Sequence, residues 1–475
     1  MTHKFNLGSG INHIHFIGIG GISMSGLAEI LHRDGYAISG SDWNASDITK
    51  RLGSLGINVK LGNDAEHISD GIDLVIYTAA VKPDNPEFSA AQGAGIPIMD
   101  RAKLLGLIMD GYENSVAVSG VHGKTTTTSI IAEVLLAAGL DPTISIGGFM
   151  EGIAGRSGAA GRSGAASNYR VGESDYMVAE SCEYFDSFLQ LHPKVGVILN
   201  IDSDHLDYFV TLNRLVDSFS RFAGNIRGTL VIHAGTRFFE EATRGLECDI
   251  ITYGTENSRF WARDIRYDGE GLPSFYIMEG ENTLSEVSLK LRGRHNIDNA
   301  LAAAAVASAF GIPIEAVVRG LSDASGTKRR FEHKGDFNGV TIVDDYAHHP
   351  TEIKASLTAA ANGTQQRIIC AFQSHTYTRT HKLLEEFSAA FGDADVALIL
   401  PIYAAREVSM GPYPNYLAER LTEGICNNGK EAHFVDSFEA AADWIKEHSR
   451  PGDLLITMGA GDVHILGEGL ISGKF

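Results

Sequence analysis

The sequence predicts an α/β protein built from three domains, and three observations carry that reading. The chain has 475 residues, more than one ordinary hydrophobic core can serve, and about three domains is the natural division. Short apolar runs alternate with helix-length patterns along the whole chain, as in doubly wound sheets. Two of those runs lead into glycine turns that open helices, an arrangement that presents bare N–H groups and a positive dipole end to phosphate.

The first domain is expected over residues 1–110. His13–Ile17 reads as a strand, Gly18-Ile19-Gly20-Gly21 as a turn and residues 24–33 as a helix, with further strands at 37–42 and 73–78. The glycines invite the dinucleotide fingerprint G-x-G-x-x-G/A, with Asp42 near the place of a ribose-binding acid. Ser23 stands where the third glycine or alanine belongs, which favours a phosphate at this helix start over an NAD.

The second domain, 111–327, opens with Val116-Ala117-Val118 and the stretch Ser119-Gly120-Val121-His122-Gly123-Lys124-Thr125-Thr126. The pattern is a shortened P-loop, G-x-x-G-K-T, because Val118 replaces the first glycine. Its Lys124 is expected on the terminal phosphates of a nucleoside triphosphate and its Thr125 hydroxyl on Mg²⁺. Residues 155–160 (GRSGAA) are repeated at once as 161–166, with nothing apolar and large to bury, so a mobile surface loop is expected. Strands follow at 176–179 and 195–199, then an alanine-rich helix at 301–310, preceded by His295-Asn296-Ile297-Asp298-Asn299. The third domain, 328–475, resumes the alternation with strands at 339–343, 367–372, 396–400 and 453–458.

Composition narrows the function. Hydrophobic residues at 44% and charged ones at 21% are globular values, and a formal net charge of -20 argues against a nucleic-acid partner. No run of about 18 apolar residues offers a membrane span, and residues 1–9 lack a signal core, so a cytoplasmic protein is expected. Cys182, Cys248, Cys370 and Cys426 lie far apart and form no C-x-x-C pair, so they are expected as reduced, partly buried thiols.

Acids and metal-capable groups cluster at the ends of the predicted strands, where an open α/β sheet meets its ligands. Glu180 is placed to share Mg²⁺ with Thr125, and Asp204-His205 follows the next strand. Lys328-Arg329-Arg330-Phe331 can clamp phosphate oxygens. Asp344-Asp345-Tyr346-Ala347-His348-His349-Pro350 ends a strand with an acid suited to a ribose hydroxyl. Paired histidines there are hard to explain as core. Gln373-Ser374-His375-Thr376-Tyr377-Thr378-Arg379 adds a guanidinium that can grip a carboxylate bidentately.

In order along the chain, these motifs resemble those of the Mur ligases of peptidoglycan synthesis. The resemblance rests on His15-Phe16-Ile17-Gly18-Ile19-Gly20-Gly21 with Met24-Ser25-Gly26, on Gly120 to Thr125, and on Glu180 with Asp204-His205-Leu206-Asp207. It continues through His295-Asn296 with Asn299-Ala300, Asp344 to Glu352, and Phe372 to Thr380. It implies a three-domain architecture: a Rossmann-like N-terminal domain, a P-loop-type central ATPase domain and a Rossmann-like C-terminal domain. It further implies a UDP-sugar site at Gly18, Gly20, Gly21, Ser23, Met24, Ser41, Asp42 and His122. ATP would lie on Gly120, Val121, His122, Gly123, Lys124, Thr125, Thr126, His295, Asn296, Asn299, Arg330 and Asp345. Tyr346, His348, His375 and Arg379 would take the amino acid, and Thr125, Glu180 and His205 the Mg²⁺. Two departures stand out. Val121 replaces a common threonine at a position expected to donate backbone, and residues 210–228 contain no lysine that could be carbamylated.

The implied activity is ATP-dependent joining of L-alanine to the carboxylate of UDP-N-acetylmuramate through an acyl phosphate, by a monomer or homodimer. Lys124, His205, Arg330, His348 and His375 are the implied catalytic residues. The alternative within the family is a recycling ligase that adds a murein tripeptide to the same sugar nucleotide. An NAD-dependent oxidoreductase would leave Lys124-Thr125 and the acidic strand ends without a task, and a nucleotide-driven switch protein would consume no second substrate.

Overall fold

A computed structural model describes residues 5, 7–78, 81–151, 153, 166–202, 206–362, 366–405, 407 and 413–475. They gather into two compact units. One comprises Met1–Arg263, Ile277–Ser285 and Asp298–Asp323, the other Asp264–Tyr276, Glu286–Ile297 and Ala324–Phe475. Asp204, His205 and all but Ala166 of the GRSGAA duplication lie outside the described residues. Among those described, no helix is long and apolar enough to cross a membrane.

The first unit begins with a five-stranded sheet of order β3-β2-β1-β4-β5, where β1 is His13–Ile17, β2 Ala37–Asp42, β3 Asn58–Leu61, β4 Leu74–Tyr77 and β5 Ile98–Asp100. All its pairings are parallel. The order reverses between β1 and its neighbours, which opens a crevice beyond the carboxyl ends of the strands, where the Gly18 turn emerges. The helix after the turn spans Ile22–Arg33, two residues earlier than the pattern suggests, and starts directly after Gly21, its N-cap.

The second sheet runs β15-β14-β13-β12-β11-β10-β6-β9-β7-β8. Its strands are β6 Asn114–Ser119, β7 Thr143–Met150, β8 Ser167–Arg170, β9 Tyr176–Glu180, β10 Val195–Ile198, β11 Thr229–His233 and β12 Asp249–Tyr253, followed by β13 Phe260–Tyr267, β14 Pro273–Glu279 and β15 Asn282–Ser288. Central pairs such as β10–β6 and β6–β9 are parallel and their residues almost wholly buried, which explains the near-continuous apolar runs.

The first sheet and strands β6 to β12 of the second belong to one unit, and one apolar cluster runs through both, from Phe16 and Leu31 to Ala117, Phe188 and Phe219. Polar contacts reinforce it. Asn168 donates to the Ile22 carbonyl at 2.6 Å, and Arg51 pairs with Glu29 at 2.6 Å and lies over the Tyr169 ring. Helix Arg101–Asp110 presses Gly106 so close to the stretch at Gln190 that a Cβ would stand 2.0 Å from the Gln190 carbonyl oxygen.

The second unit carries a six-stranded sheet of order β16-β17-β21-β18-β19-β20: β16 Glu332–Phe337, β17 Val340–Asp345, β18 Ile368–Phe372, β19 Val396–Ile399, β20 Glu431–Phe434 and β21 Leu454–Met458. Only β16 is antiparallel. Two readings change. The motif His295-Asn296 does not precede the alanine-rich helix but forms its first turn, since the helix spans Arg294–Ala309. Of the four free thiols, Cys426 is exposed, not partly buried: it lies one residue, or about 100° of helix, beyond the inward-facing Ile425.

Two glycines test this packing. Gly106→Ala should destabilise the protein by about 1–3 kcal/mol in urea unfolding, because the backbone at Gln190 has to move. Gly53→Ala, in an exposed helix with open space around its Cβ, should instead stabilise by about 0.5–1 kcal/mol. Equal effects of the two substitutions would contradict the described contact.

Candidate active site

In the first unit the chain turns from β6 into helix Lys124–Ala137 through Gly120 and Gly123, whose φ angles are +134° and +83°. Only glycine tolerates those angles without cost, and a Cβ on Gly120 would also press on Leu199 at 3.0 Å. Asn200, just past β10, pins the loop from both sides: its Oδ1 accepts the His122 N–H at 2.9 Å and its Nδ2 donates to the His122 carbonyl at 3.0 Å. The backbone N–H of Val121 is a donor, here to the protein itself. Its side chain packs into the core and its N–H points to the Asn200 carbonyl at 3.4 Å.

Lys124 lies inside the loop and not above it. Its ammonium donates to the Gly120 and Val121 carbonyls at 2.5 and 3.1 Å and pairs with Glu183 at 3.0 Å. Burial alone would lower its pKa, but the nearby Glu183 carboxylate outweighs that and holds the ammonium firmly charged. The same surroundings push the Cys182 thiol up to about 11, first through burial and then through Glu183, so no thiolate forms there. Glu183 is a site residue that the motif reading missed. Its signal was present as a second acid three residues after Glu180.

Thr125 and Glu180 meet as their motifs suggest. The Thr125 hydroxyl donates to Glu180 Oε2 at 2.9 Å, and the Gly147 N–H reaches the same oxygen at 2.7 Å. A hydroxyl and a carboxylate make an oxygen-only donor pair, the chemistry that Mg²⁺ prefers. His122 faces Asp202 at 3.6 Å, and Asn299 approaches Gly123, where a Cβ would meet its Oδ1 at 3.1 Å. At the first glycine turn, Asp42 Oδ2 accepts the Gly20 N–H at 2.9 Å, and the Ser41 carbonyl accepts those of Gly18 and Ile19, each at 2.9 Å. Asp42 thus braces the turn itself. Met24 is buried, and Ser23 lies on the same first helical turn.

In the second unit, β17 and β18 bring four expected residues into a row. Tyr346 and His348 rings lie 5.4 Å apart, His348 and His375 5.8 Å apart, and Arg379 Nη1 approaches His375 Nδ1 at 3.5 Å. Tyr403 stacks on His375 and extends the row; its sequence context gave no sign of this. Arg330 lies over the Tyr346 ring at 5.3 Å, whereas Arg329 is held internally by Asp344 and by the Gly459 and Gly461 carbonyls. Asp345 is likewise engaged. It accepts N–H bonds from Phe331 and Ala347 and the Ser356 hydroxyl, and burial pushes its carboxyl up to about 6 against the pull of Arg330. His349 is the N-cap of helix Pro350–Ala361, which accounts for the second histidine of the pair. Asn296 donates to the Arg292 carbonyl at 2.7 Å beside His295, at the start of its helix. Five of the nine described non-glycine residues with left-handed backbone lie near these strand ends: Phe185 and Asp186 after β9, Arg329 and Phe331 beside β17, and Thr376 after β18.

Family models match three consecutive stretches: "Mur ligase family, catalytic domain" over 13–113, "Mur ligase middle domain" over 118–307 and "Mur ligase, glutamate ligase domain" over 329–461. The chain belongs to the Mur ligase family. Among Mur ligases it is 48% identical to a UDP-N-acetylmuramate–L-alanine ligase of Agathobacter rectalis over 97% of both chains. It is 47% identical to the protein of that name from Acetivibrio thermocellus, over 97% of this chain and 96% of that one. A solved UDP-N-acetylmuramate-alanine ligase from Thermotoga maritima superposes with a TM-score of 0.80 at 26% identity, covering 97% of this chain and 99% of that one. A murein peptide ligase from Psychrobacter arcticus, at 24% identity and a TM-score of 0.67, shares the Mur ligase fold.

The Lys124–Glu183 pair allows stability and activity to be separated. Lys124→Met takes the ammonium away from the buried Glu183 carboxylate and should cost about 3–5 kcal/mol of stability. Adding Glu183→Gln should recover most of that loss in thermal unfolding. Activity should stay down by about 10²–10³ in both variants. Full activity in the stable double variant would remove Lys124 from the chemistry.

Proposed function

We propose that this Mur ligase joins L-alanine to the carboxylate of UDP-N-acetylmuramate, with ATP converted to ADP and phosphate. The carrying observation is the nearly full-length identity of 43–48% to enzymes named UDP-N-acetylmuramate–L-alanine ligase. That relatives matched at this identity carry the alanine-adding name favours free alanine over a tripeptide as acceptor. ATP and a UDP-sugar are both metabolites of the cytoplasm, which supports that location. The domains follow the divisions 1–110, 111–327 and 328–475.

A carboxylate does not accept an amine until one oxygen becomes a leaving group. The muramoyl carboxylate attacks the γ-phosphorus of ATP and ADP departs, giving an acyl phosphate. The alanine amine then attacks the acyl carbon, the tetrahedral adduct collapses, and inorganic phosphate leaves. Charge accumulates on phosphoryl oxygens in the first step and on the acyl oxygen in the second, so positioned cations and N–H groups are the main requirement. Lys124 turns from Glu183 to the terminal phosphate, and Arg330 adds a second cation. Thr125 and Glu180, with His205 as a further group, would hold Mg²⁺, which would supply positive charge to the phosphate oxygens. Arg379 grips the alanine carboxylate, and Tyr346, His348 and His375 border its amine.

The acyl phosphate is tested by isotope. With ¹⁸O in the muramoyl carboxylate, one label should appear in the released phosphate by mass spectrometry. Unlabelled phosphate would exclude this route. In the same assay alanine should exceed glycine by about 10–200-fold, the value of one methyl group in a pocket, and the tripeptide should be used poorly.

The site roles are tested by variants. Arg379→Ala should raise KM for alanine far more than KM for ATP. Glu180→Ala should raise the Mg²⁺ concentration needed for half-maximal ADP formation. An unchanged Mg²⁺ titration would place the ion elsewhere.

A further inference from the structure

Beneath the first sheet's carboxyl edge lies a polar network that the reaction does not use. At its centre is Glu87, fully buried in the first turn of helix Pro86–Gly93. Its Oε2 accepts the Ser41 hydroxyl at 2.8 Å and meets His15 Nε2 at 2.8 Å. Its Oε1 meets His67 Nδ1 at 3.3 Å and accepts the Asn63 side-chain amide at 3.2 Å, once that amide is oriented with its nitrogen toward the carboxylate. Behind His15, the Ser39 hydroxyl links His15 and His13 at 3.0 and 2.8 Å. A buried carboxylate among imidazoles is a costly way to fill a sheet, and well-packed apolar residues would often be at least as stable. Its use therefore lies in what it holds.

It holds two things. Through Ser41, whose carbonyl takes the Gly18 and Ile19 N–H groups, it fixes the glycine turn. Through Asn63, whose Oδ1 accepts the Trp43 indole N–H at 3.1 Å and an Asn85 amide N–H at 3.1 Å, it orients Trp43. Trp43 is 72% exposed, and no other large apolar side chain among the described residues is more so. It directly follows β2, one residue beyond the Asp42 that braces Gly20. In an open α/β sheet a nucleotide whose phosphates sit on the β1 turn lays its nucleoside over the end of β2.

We infer that Trp43 is the stacking platform for the uracil base of the sugar nucleotide, with Glu87 as the positioning residue that ties this platform to the pyrophosphate turn. The inference rests on the reading that a UDP-sugar binds the first sheet. The indole is exposed because its partner is a ligand, and its N–H is tethered so that little orientation remains to be lost on binding. One carboxylate sets the spacing between the phosphate-holding backbone and the base-holding ring.

The test uses the full chain, with Trp261 and Trp444 as fluorescence background. Uridine 5′-monophosphate should quench the tryptophan emission of the natural protein, ribose 5-phosphate should not, and Trp43→Phe should abolish the effect. Trp43→Ala should raise KM for UDP-N-acetylmuramate about tenfold, a usual value for one aromatic–base stack, while kcat and KM for ATP stay within about twofold. Trp43→Phe should recover most of that KM, and the melting temperature should fall by no more than a few degrees, because one indole hydrogen bond to Asn63 is lost from a side chain that is otherwise on the surface. Glu87→Gln should raise the same KM and leave KM for ATP unchanged. Undiminished quenching in Trp43→Phe, or an unchanged KM in Trp43→Ala, would overturn the inference. The two readings fail separately: a protein quenched by uridine monophosphate that forms no ADP with UDP-N-acetylmuramate keeps the platform and loses the ligase.

Discussion

The burial of one ammonium group governs the central site. Lys124 sits where water scarcely reaches, and a charge so placed has to be met by partners that are themselves fixed. The loop carbonyls of Gly120 and Val121 meet it from one side and Glu183 from the other. The glycine conformations and the clamp by Asn200 shape the loop around that charge, and the pairing of β9 with β6 brings Glu183 to it. Glu180 stands on the same strand end, so the carboxylate proposed to take Mg²⁺ and the acid that holds the lysine lie within three residues of each other. On the proposed reading, a nucleotide would not create a cationic site here but would replace the counter-charge of one already built.

The second unit meets a different requirement with different means. Its strand ends carry cations over aromatic rings, with Arg329 and Arg330 both lying over Tyr346. Only one of these arginines is spent on the fold. Arg329 joins Asp344 and two glycine carbonyls, so the neighbouring guanidinium has a rigid base beneath it. The row from Tyr346 to Arg379 is assembled from two strand ends separated by about 30 residues of sequence, and parallel pairing through β21 brings them level.

What could be read from the sequence was what is local. The bounds of β1 and β2 follow from apolar runs punctuated by glycine, and the shortened P-loop from its own spacing. The meeting of Thr125 with Glu180 followed from the rule that strand ends share one edge. What could not be read depends on contacts across the chain. Glu183 meets a lysine 59 residues away, and Glu87 meets a histidine 72 residues away. The second acid after Glu180 is visible in the sequence, but neither residue type nor spacing says which partner Glu183 or Glu87 meets. His349 read as a functional histidine because a capping imidazole looks the same in sequence as a binding one. The helix at Arg294 began early because the polar residues of its first turn carry no apolar periodicity. Asp204 and His205 stay an expectation of the resemblance.

The left-handed residues at Phe185, Asp186, Arg329, Phe331 and Thr376 have an evolutionary consequence. Each holds a backbone conformation costing on the order of 1–3 kcal/mol, in the place where geometry matters most. Glycine or asparagine would relieve that strain, so a screen for heat resistance would be drawn to these positions. The same replacements would loosen the strand ends that aim the side chains. Selection for catalysis and selection for durability therefore pull in opposite directions at these sites, while in the core, where Phe188 and Phe219 pack, they agree. Under drift, these bent positions should resist relaxation for as long as turnover is under selection, and they should be among the first to change in a copy freed from it.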